Sequence, residues 1–269
     1  SRSSAGYQGV SVAWRGGCAF IGSGGGAIEP HAHYAIQLVI GAPDGLRVQF
    51  GRRGDWQQAA AALVPSRATH TIDVSGCDWS AVVFIEPETH EGRALAARLQ
   101  GQPELLGADA VQAIAPSLAR AWRVDRNADA VKALCMRWIE VLARTEHRVP
   151  SDPRVLQAVD YIRQRVGHPV SLEEVAACAS LSPSRFRHLF VEETGMPLRT
   201  YVLWRRMLHV WALIMQGETL SAAAHAAGFA DSAHLSRTSR TMFGLPPSAM
   251  QMGGPLCGPL REAPPHQPA

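Results

Sequence analysis

Cysteine is scarce in this sequence of 269 residues, and its five copies show no CxxC spacing. The absence of this spacing argues against the common zinc templates, and so few cysteines argue against a dense disulfide framework. We therefore expect a protein of the reducing cytoplasm. Long apolar runs are also missing, since none approaches the ~18 residues that a membrane span needs. The N-terminus lacks the basic-then-apolar order of a signal peptide, which favours a cytoplasmic protein with no membrane partner.

Lysine is rarer still, because Lys132 is the only one and the other basic side chains are arginines. The formal net charge of +3 does not by itself indicate a nucleic-acid partner, although a modest total can hide a basic face. Arginine suits both phosphate and guanine edges. Hydrophobic residues make up 46% of the chain, which allows a sizeable core, and the length favours two domains.

Short apolar runs broken by glycine, proline and aspartate fill residues 7–87 and predict β-strands. The clearest are residues 35–40 and 80–85, and residues 46–50 alternate apolar with polar side chains. Several short strands at close spacing are typical of an antiparallel barrel or sandwich. We therefore expect a β domain over residues 1–90.

Three histidines and a glutamine in this region form a pattern of their own. His31 and His33 lie two positions apart, so on a strand both point to one face; Gln37 follows, and His70 comes later, after Pro65. This pattern resembles the two sequence motifs of the cupin barrel. Metal-binding cupins supply three histidines and a glutamate from these motifs, and here Gln37 stands at the position of the glutamate.

These residues leave several interpretations open. His31, His33, Gln37 and His70 line a pocket for a small organic effector, or they only satisfy hydrogen bonds inside the barrel. Alternatively, His31, His33 and His70 bind a divalent transition metal, for which imidazole is a suitable ligand, and the protein senses metal. The missing carboxylate favours the organic effector. It also argues against a further hypothesis, a metal-dependent cupin enzyme, so we expect a protein that is not an enzyme.

A helical pattern follows over residues 91–148. We expect helices over residues 92–100, 108–122 (kinked or restarted at Pro116) and 127–144, the last capped by Asn127. Apolar residues recur at helical spacing along the third helix and form either core or a dimer seam. The candidate dimer contacts are Leu134, Trp138 and Leu142. The polar segment 149–153 is expected to link two domains.

The C-terminal part repeats one local pattern, a short helix, a tight turn and a capped second helix. In the first copy, Ser182 and Pro183 open a helix that buries Phe186 on one face. In the second copy, Gly228 makes the turn and Asp231 caps the helix. A long helix over residues 198–216 joins the copies. This layout is typical of helix-turn-helix units that place a recognition helix in the major groove.

Residues 153–251 closely resemble the DNA-binding domain of AraC/XylS family transcription regulators. The resemblance is carried by Gly228-Phe229, Asp231, Phe243-Gly244 and Pro247 in the second copy, and by Ser182, Phe186, Leu189-Phe190 and Gly195 in the first. It implies that bases are read by Ser184, Arg187, His188, Ala233, His234 and Arg237. Arg185, Arg199 and Arg240 are expected to bind phosphate. Ser239 departs from the family, which has an aromatic residue there, and predicts a looser second unit.

The expected fold is α+β: a cupin-like antiparallel β-barrel followed by helices, then an all-α domain with two helix-turn-helix units joined by a long helix. The expected divisions are a sensing domain at 1–90, a helical segment at 91–148, a linker at 149–153, a DNA-binding domain at 153–252 and a disordered tail at 253–269. The resemblance implies a cytoplasmic transcription regulator of the bacterial nucleoid, and more specifically an activator. Its expected partners are promoter DNA, a small organic effector, RNA polymerase and a second copy of the chain.

Overall fold

The computed structural model describes residues 7–25, 28–144, 151–249 and 260–262. Within these ranges, the strands pair only in the antiparallel sense and form two sheets. The strands are β1 (Gln8–Trp14), β2 (Gly17–Ser23), β3 (Ile36–Ala42), β4 (Leu46–Phe50), β5 (Trp56–Ala59), β6 (Ala61–Val64), β7 (His70–Asp73), β8 (Trp79–Ile85) and β9 (Glu104–Leu106). The six-stranded sheet has the order β1-β2-β8-β3-β6-β9, and the three-stranded sheet has the order β5-β4-β7.

The six-stranded sheet is covered on both faces, which explains the uninterrupted apolar sequence of its central strand. In β3, Leu38 and Ile40 pack with the helices outside, while Val39 packs inward with Leu46 and Ile72 of the smaller sheet. Strands that are buried on both faces read as continuous apolar runs rather than as alternating ones. β4, at the centre of the smaller sheet, alternates instead, with Leu46 and Val48 buried and Arg47 exposed. The predicted strands and the predicted antiparallel β domain are confirmed.

Four helices pack on the outer face of the larger sheet: α1 (His90–Leu99), α2 (Ala108–Gln112), α3 (Ala115–Ala119) and α4 (Ala128–Leu142). Pro116 lies in the first turn of α3, so of the two expected outcomes, a kink or a restart, the helix restarts there. The side chain of Asn127 accepts a hydrogen bond from Ala130 N and caps α4, also as predicted. A π-helical turn, Arg120–Val124, follows α3 and does not appear in the sequence pattern.

The apolar stripe of α4 belongs to the core. Trp138 and Leu142 are each only 6% exposed, and Leu134 packs beside them against the same cluster. Their packing within one chain supports the core alternative for these three residues. Because helical periodicity reports only that a face is buried, it could not say against what.

The α-helices of the described C-terminal residues are α5 (Pro153–Arg163), α6 (Leu172–Cys178), α7 (Pro183–Thr194), α8 (Leu198–Met215), α9 (Leu220–Ala226) and α10 (Ser232–Phe243), and a 3-10 turn follows at Pro247–Ala249. Their caps are the predicted ones at Asp152, Ser171, Ser182 and Asp231. At α9 the cap is Thr219, whose side chain accepts from Ala222 N, and not Ser221.

Two predictions concern segments at the edges of the described ranges. Of the expected linker at 149–153, residues 149 and 150 lie outside the described residues, and the remainder leads into α5. Of the expected disordered tail, residues 253–259 and 263–269 lie outside them as well. Residues 260–262 contradict disorder: Leu260 is buried, and Arg261 exchanges backbone hydrogen bonds with Arg126 and Ala128. This short segment therefore closes over the start of α4.

Candidate DNA-binding helices and interdomain cavity

The first helix-turn-helix unit consists of α6 and α7. Ser171 and Glu174 form a reciprocal capping box at the start of α6. The turn closes by a hydrogen bond from Leu181 N to Ala176 O, and Ser182 caps α7 through Arg185 N. Phe186 and Phe190 are fully buried and fix which face of α7 points inward. The predicted DNA contacts on α7 are all exposed: Ser184, Arg185, Arg187 and His188.

The second unit consists of α9 and α10. Gly228 adopts φ +80°, a conformation that favours glycine, and Asp231 caps α10 by accepting from His234 N at 2.7 Å. Leu235 and Phe243 face the core. Of the predicted contacts, Ala233, Arg237 and Arg240 are exposed, and His234 is half-buried with its ring 5.4 Å from that of Phe229. We call α7 and α10 the recognition helices.

Ser239, for which the sequence predicted looser packing, lies in the core of the second unit. The side chain is fully buried, and its hydroxyl donates to Leu245 O at 2.7 Å. An aromatic ring is present one turn further on, where Phe243 stacks on Trp204 at 5.5 Å and 16°. This stacking fixes the end of α10 against α8.

The long helix α8 separates the two recognition helices. Its 18 residues span roughly 27 Å at ~1.5 Å per residue. One face is buried through Tyr201, Trp204, Leu208 and Trp211, as predicted, while Arg199 is exposed in its first turn.

The three histidines meet inside the β domain. Their ring centroids lie 4.4 to 5.4 Å apart, and their nearest ligand nitrogens lie within 4.8 Å of one another. An isolated antiparallel backbone bridge pairs His31 with His70, the first residue of β7. Burial lowers the pKa of all three rings, and that of His33 falls to about 4. At neutral pH the cluster is therefore uncharged.

Each of these rings faces a backbone carbonyl with its Nδ1 atom. The partners are Glu29 O for His31 (3.0 Å), Ala35 O for His33 (2.9 Å) and Ala68 O for His70 (2.8 Å). A neutral imidazole has one N–H group, so a ring whose Nδ1–H donates to a carbonyl keeps a lone pair on Nε2. The side-chain amide of Gln37 lies 2.6 Å from His33 Nε2 and 3.0 Å from His70 Nε2. The structure therefore brings all four predicted pocket residues together.

A cavity of about 170 Å³ lies beside this cluster, and we call it the interdomain cavity. Its wall includes His31 and Gln37 but neither His33 nor His70. Most of the wall is apolar and comes from both parts of the chain: Phe20, Ile72, Val82 and Phe84 of the β domain, and Trp211, Phe243 and Leu245 of the C-terminal helices. The sequence did not predict these wall residues, because their juxtaposition depends on how the two parts pack.

Buried polar contacts also join the two parts. Glu86, which follows β8, accepts from Arg205 Nη1 at 2.7 Å and from the Tyr201 hydroxyl at 3.1 Å, both on α8. Glu88 accepts from the Tyr34 hydroxyl. Burial and the adjacent carboxylate of Glu86 raise the pKa of Glu88 well above its usual range. No sequence signal marked these acids as buried, since Glu86 and Glu88 follow β8 in a short polar segment that is typical of a surface turn.

The end of α7 is attached to the β domain as well. Arg67 Nη1 donates to Gly195 O at 2.7 Å, and Arg93 on α1 forms an ion pair with Glu193. At the end of α10, Glu29 N donates to Gly244 O at 3.0 Å. Both recognition helices are therefore held at their C-terminal ends by the N-terminal part.

The comparisons with known proteins agree with this geometry. Residues 175–252 match a family model described as a helix-turn-helix domain. The chain is 30% identical over 93 residues to "Probable transcriptional regulator LumQ" of Photobacterium leiognathi. The aligned region covers 34% of this chain and 38% of LumQ. It is 28% identical over 95 residues to the multiple antibiotic resistance protein MarA of Escherichia coli K12, covering 35% of this chain and 75% of MarA. The chain thus spans well under half the length of LumQ.

Among solved structures, ToxT of Vibrio cholerae O395 shares the fold with a TM-score of 0.55 at 10% identity, covering 87% of this chain and 96% of ToxT. Unsaturated-fatty-acid-bound ToxT has a TM-score of 0.53 at 10% identity, covering 90% of this chain and 92% of ToxT.

The fold and the exposed recognition helices define a helix-turn-helix DNA-binding domain attached to an antiparallel β domain. Residues 175–252 of that domain match the helix-turn-helix family model, and the chain shares the two-domain fold of ToxT. No helix in the described part of the chain is long and apolar enough to cross a membrane.

Proposed function

We propose that this chain is a sequence-specific transcription regulator whose two recognition helices bind neighbouring major grooves of promoter DNA. The observation that carries the proposal is the exposure of the predicted contacts on both helices while the opposite faces are buried in one core. Arg187 and Arg237 are suited to guanine O6 and N7, and Ser184, His188, Ala233 and His234 complete the base-reading set. Arg185, Arg199 and Arg240 are suited to phosphate, which positions the domain without reading sequence.

The proposed control element is a small organic effector in the interdomain cavity. Its wall combines residues of the β domain with residues of α8 and α10, so an occupant contacts both parts at once. ToxT, which shares the fold, has been solved with an unsaturated fatty acid bound. The wider proposal is an activator that works with RNA polymerase at the bacterial nucleoid in the cytoplasm, with a homodimer as a further proposal and without enzymatic activity.

Selection of random-sequence DNA by the purified full-length chain tests this function. We expect enrichment of one motif with two half-sites, one for each recognition helix, and loss of that enrichment in the Arg187→Ala, Arg237→Ala double variant. Recovery of no motif by wild-type protein that is folded and monodisperse would count against sequence-specific binding. Native mass recorded on the same sample tests the homodimer.

A second candidate, metal sensing by His31, His33 and His70, is favoured by the hydrogen bonds of the three rings. With each Nδ1–H donating to a carbonyl, the Nε2 atoms keep their lone pairs, as in metal-binding histidines. Gln37 Oε1 lies close to two of these lone pairs. The amide oxygen and the ring lone pairs repel each other in this arrangement. Rotation of the Gln37 amide, which turns its NH2 group toward the rings, or a cation bound by the oxygen and the two nitrogens relieves that repulsion. Three imidazole nitrogens and an amide oxygen fit a divalent transition metal.

Metal content of the purified protein, measured by mass spectrometry, distinguishes the two candidates. A stoichiometric transition metal would support metal sensing, and its absence after expression in metal-supplemented medium would favour the organic effector. A variant with all three histidines changed to alanine provides the matched test. If that variant still binds its operator and responds normally to its inducer, metal sensing is wrong.

A further inference from the structure

The interdomain cavity restricts the charge of any ligand it holds. Among its described wall residues there is no lysine, arginine, aspartate or glutamate. The hydroxyl of Tyr7 is already donated to Ser80 O, at 3.3 Å. A carboxylate or ammonium group buried here would find no counter-charge, and an unpaired charge in an apolar site costs several kcal/mol. The wall therefore selects against ionised ligands.

Most of the polar groups of the wall that remain lie in the histidine cluster, where His31 and Gln37 carry hydrogen-bonding groups. The Ser80 hydroxyl and the unpartnered indole N–H of Trp211 are neutral groups as well, and the other aromatic and aliphatic side chains of the wall carry none. A ligand that extends from this cluster can form hydrogen bonds there, while the rest of its surface meets rings such as Phe84 and Phe243. A single hydroxyl, carbonyl or ring N–H on an otherwise apolar skeleton satisfies both requirements.

The size of the cavity limits the skeleton. Its volume is about 170 Å³. An apolar cavity of about 150 Å³ is known to hold benzene, whereas sites for drug-sized ligands run from about 300 to 1,000 Å³. One ring or two fused rings therefore fill the cavity, whereas an extended long acyl chain would have to reach beyond it.

The occupant also contacts the end of a recognition helix. Phe243 is the last residue of α10, and its ring packs against Trp204, Phe84 and Trp211 with centroids 5.5 to 5.8 Å apart. The next residue, Gly244, accepts the hydrogen bond from Glu29 N that holds α10 to the β domain. A ligand that displaces Phe243 by a fraction of its width shifts the point at which α10 is attached.

From these observations we propose that the effector is a neutral one- or two-ring molecule with a single hydrogen-bonding group, and that it acts by repositioning the C-terminal end of α10 through Phe243. This inference rests on the proposed function and specifies the ligand class and the contact that transmits binding. A neutral ligand class distinguishes this chain from regulators that respond to acidic ligands.

Matched pairs of neutral and acidic probes test the ligand class on the full-length protein after chelation of metal with EDTA. Indole is compared with indole-3-carboxylate, and benzyl alcohol with benzoate, by calorimetry and by tryptophan fluorescence. We expect the neutral member of each pair to bind at least ten-fold more tightly. Tighter binding of the acid, or no binding of either member by protein that still binds its selected DNA, would overturn the ligand class.

Two variants locate the binding. Val82→Phe fills the cavity from β8, and Val124→Phe makes the same change on the surface, where Val124 is 69% exposed. We expect Val82→Phe to reduce indole binding at least ten-fold with retained binding to selected DNA, and Val124→Phe to change neither. Equal indole binding by both folded variants would place the ligand elsewhere. If the wild-type chain showed no sequence-specific DNA binding, the proposed function itself would be contradicted. Failure of the ligand proposal and failure of the proposed function are therefore distinguishable.

Discussion

Two arginines on α7 are expected to have different roles on DNA, one reading a base and the other binding a phosphate. Arg185 and Arg187 are both exposed, and they lie two positions apart on the helix. We expect Arg187→Ala to relax the preference at one base pair and to weaken operator binding by ~1–3 kcal/mol. We expect Arg185→Ala to weaken binding to all sequences and to reduce the dependence of the affinity on salt, because it removes one phosphate contact.

Titration of both variants against operator and random DNA at several salt concentrations checks this assignment. Arg52→Ala, an exposed arginine in the turn after β4, is the control that should leave both affinities unchanged. Equal losses on operator and random DNA for Arg185→Ala and Arg187→Ala would show that neither residue reads a base.

The histidine cluster could be found from sequence, but the cavity beside it could not. The two-residue spacing of His31 and His33 predicted one face of a strand, and the resemblance to the cupin motifs added His70 and Gln37. Both histidines lie in the irregular segment before β3, yet their rings still meet. Phe243 and Trp211 carried only the signal of helix core residues. Their role as cavity wall depends on the docking of two parts of the chain, which no local pattern encodes.

At the scale of helices, Gly244 has two functions at the C-terminal end of α10. It ends the helix with φ +72°, and a Cβ there would lie 2.2 Å from Glu29 O and 2.8 Å from His31 Nδ1. Gly217 has a similar conformation, φ +98°, but a Cβ at that position would meet no atom of the described residues beyond its chain neighbours within 4 Å. Substitutions at Gly217 and Gly244 therefore distinguish the cost of backbone strain alone from the added cost of a steric clash with the β domain.

We expect Gly217→Ala to cost only the strain of a left-handed alanine, about 1–2 kcal/mol. Gly244→Ala should cost more, because the β domain must also move away from the end of α10. Urea unfolding of the two variants measures the difference, and protease sensitivity of the native state reports domain separation. Equal losses of stability would mean that the contact between Gly244 and Glu29 does not hold the two parts together.

Helix starts were predicted well because capping is local chemistry. Asn127, Asp152, Ser171, Ser182 and Asp231 all cap the helices that they were expected to cap. The start of α9 was misassigned because Thr219 and Ser221 are both good caps two residues apart, so local chemistry does not choose between them. The stripe on α4 was left open between core and dimer seam for a different reason: periodicity identifies a buried face without its partner.

At the scale of the whole molecule, the pair Glu86 and Glu88 makes the attachment of the two parts sensitive to pH. Their exposed fractions are 2% and 1%. Among the described residues, Glu86 accepts from Arg205 and from the Tyr201 hydroxyl, whereas Glu88 accepts from the hydroxyl of Tyr34. One guanidinium cannot neutralise two carboxylates. Glu88, whose pKa is raised by burial and by Glu86, therefore keeps its proton above the usual pKa of a glutamate.

A raised carboxyl pKa makes the native state bind a proton that the unfolded chain releases. Between the ordinary pKa of glutamate and the raised value, this group's contribution to stability therefore falls as pH rises. We expect Glu88→Gln to remove that loss and to be more stable than wild type at pH 8, with little difference at pH 4.5. Urea unfolding at a series of pH values measures it, with the exposed Glu140→Gln as the control. A wild-type profile that is parallel to that of Glu88→Gln would show that Glu88 does not titrate in this window.

The ion pair between Glu86 and Arg205 should dominate the docking of α8 on the β domain. Removing one partner leaves a buried charge uncompensated, which typically costs ~3–5 kcal/mol. We expect Glu86→Gln and Arg205→Met each to lose stability on that scale, and the double variant to lose clearly less than the sum of the two. A double-mutant cycle in urea measures the coupling, and operator binding by the double variant shows whether docking is needed to hold both recognition helices on DNA. Additive losses would mean that the two charges are stabilised independently, and the packing of Trp204 and Phe243 would then have to account for the attachment.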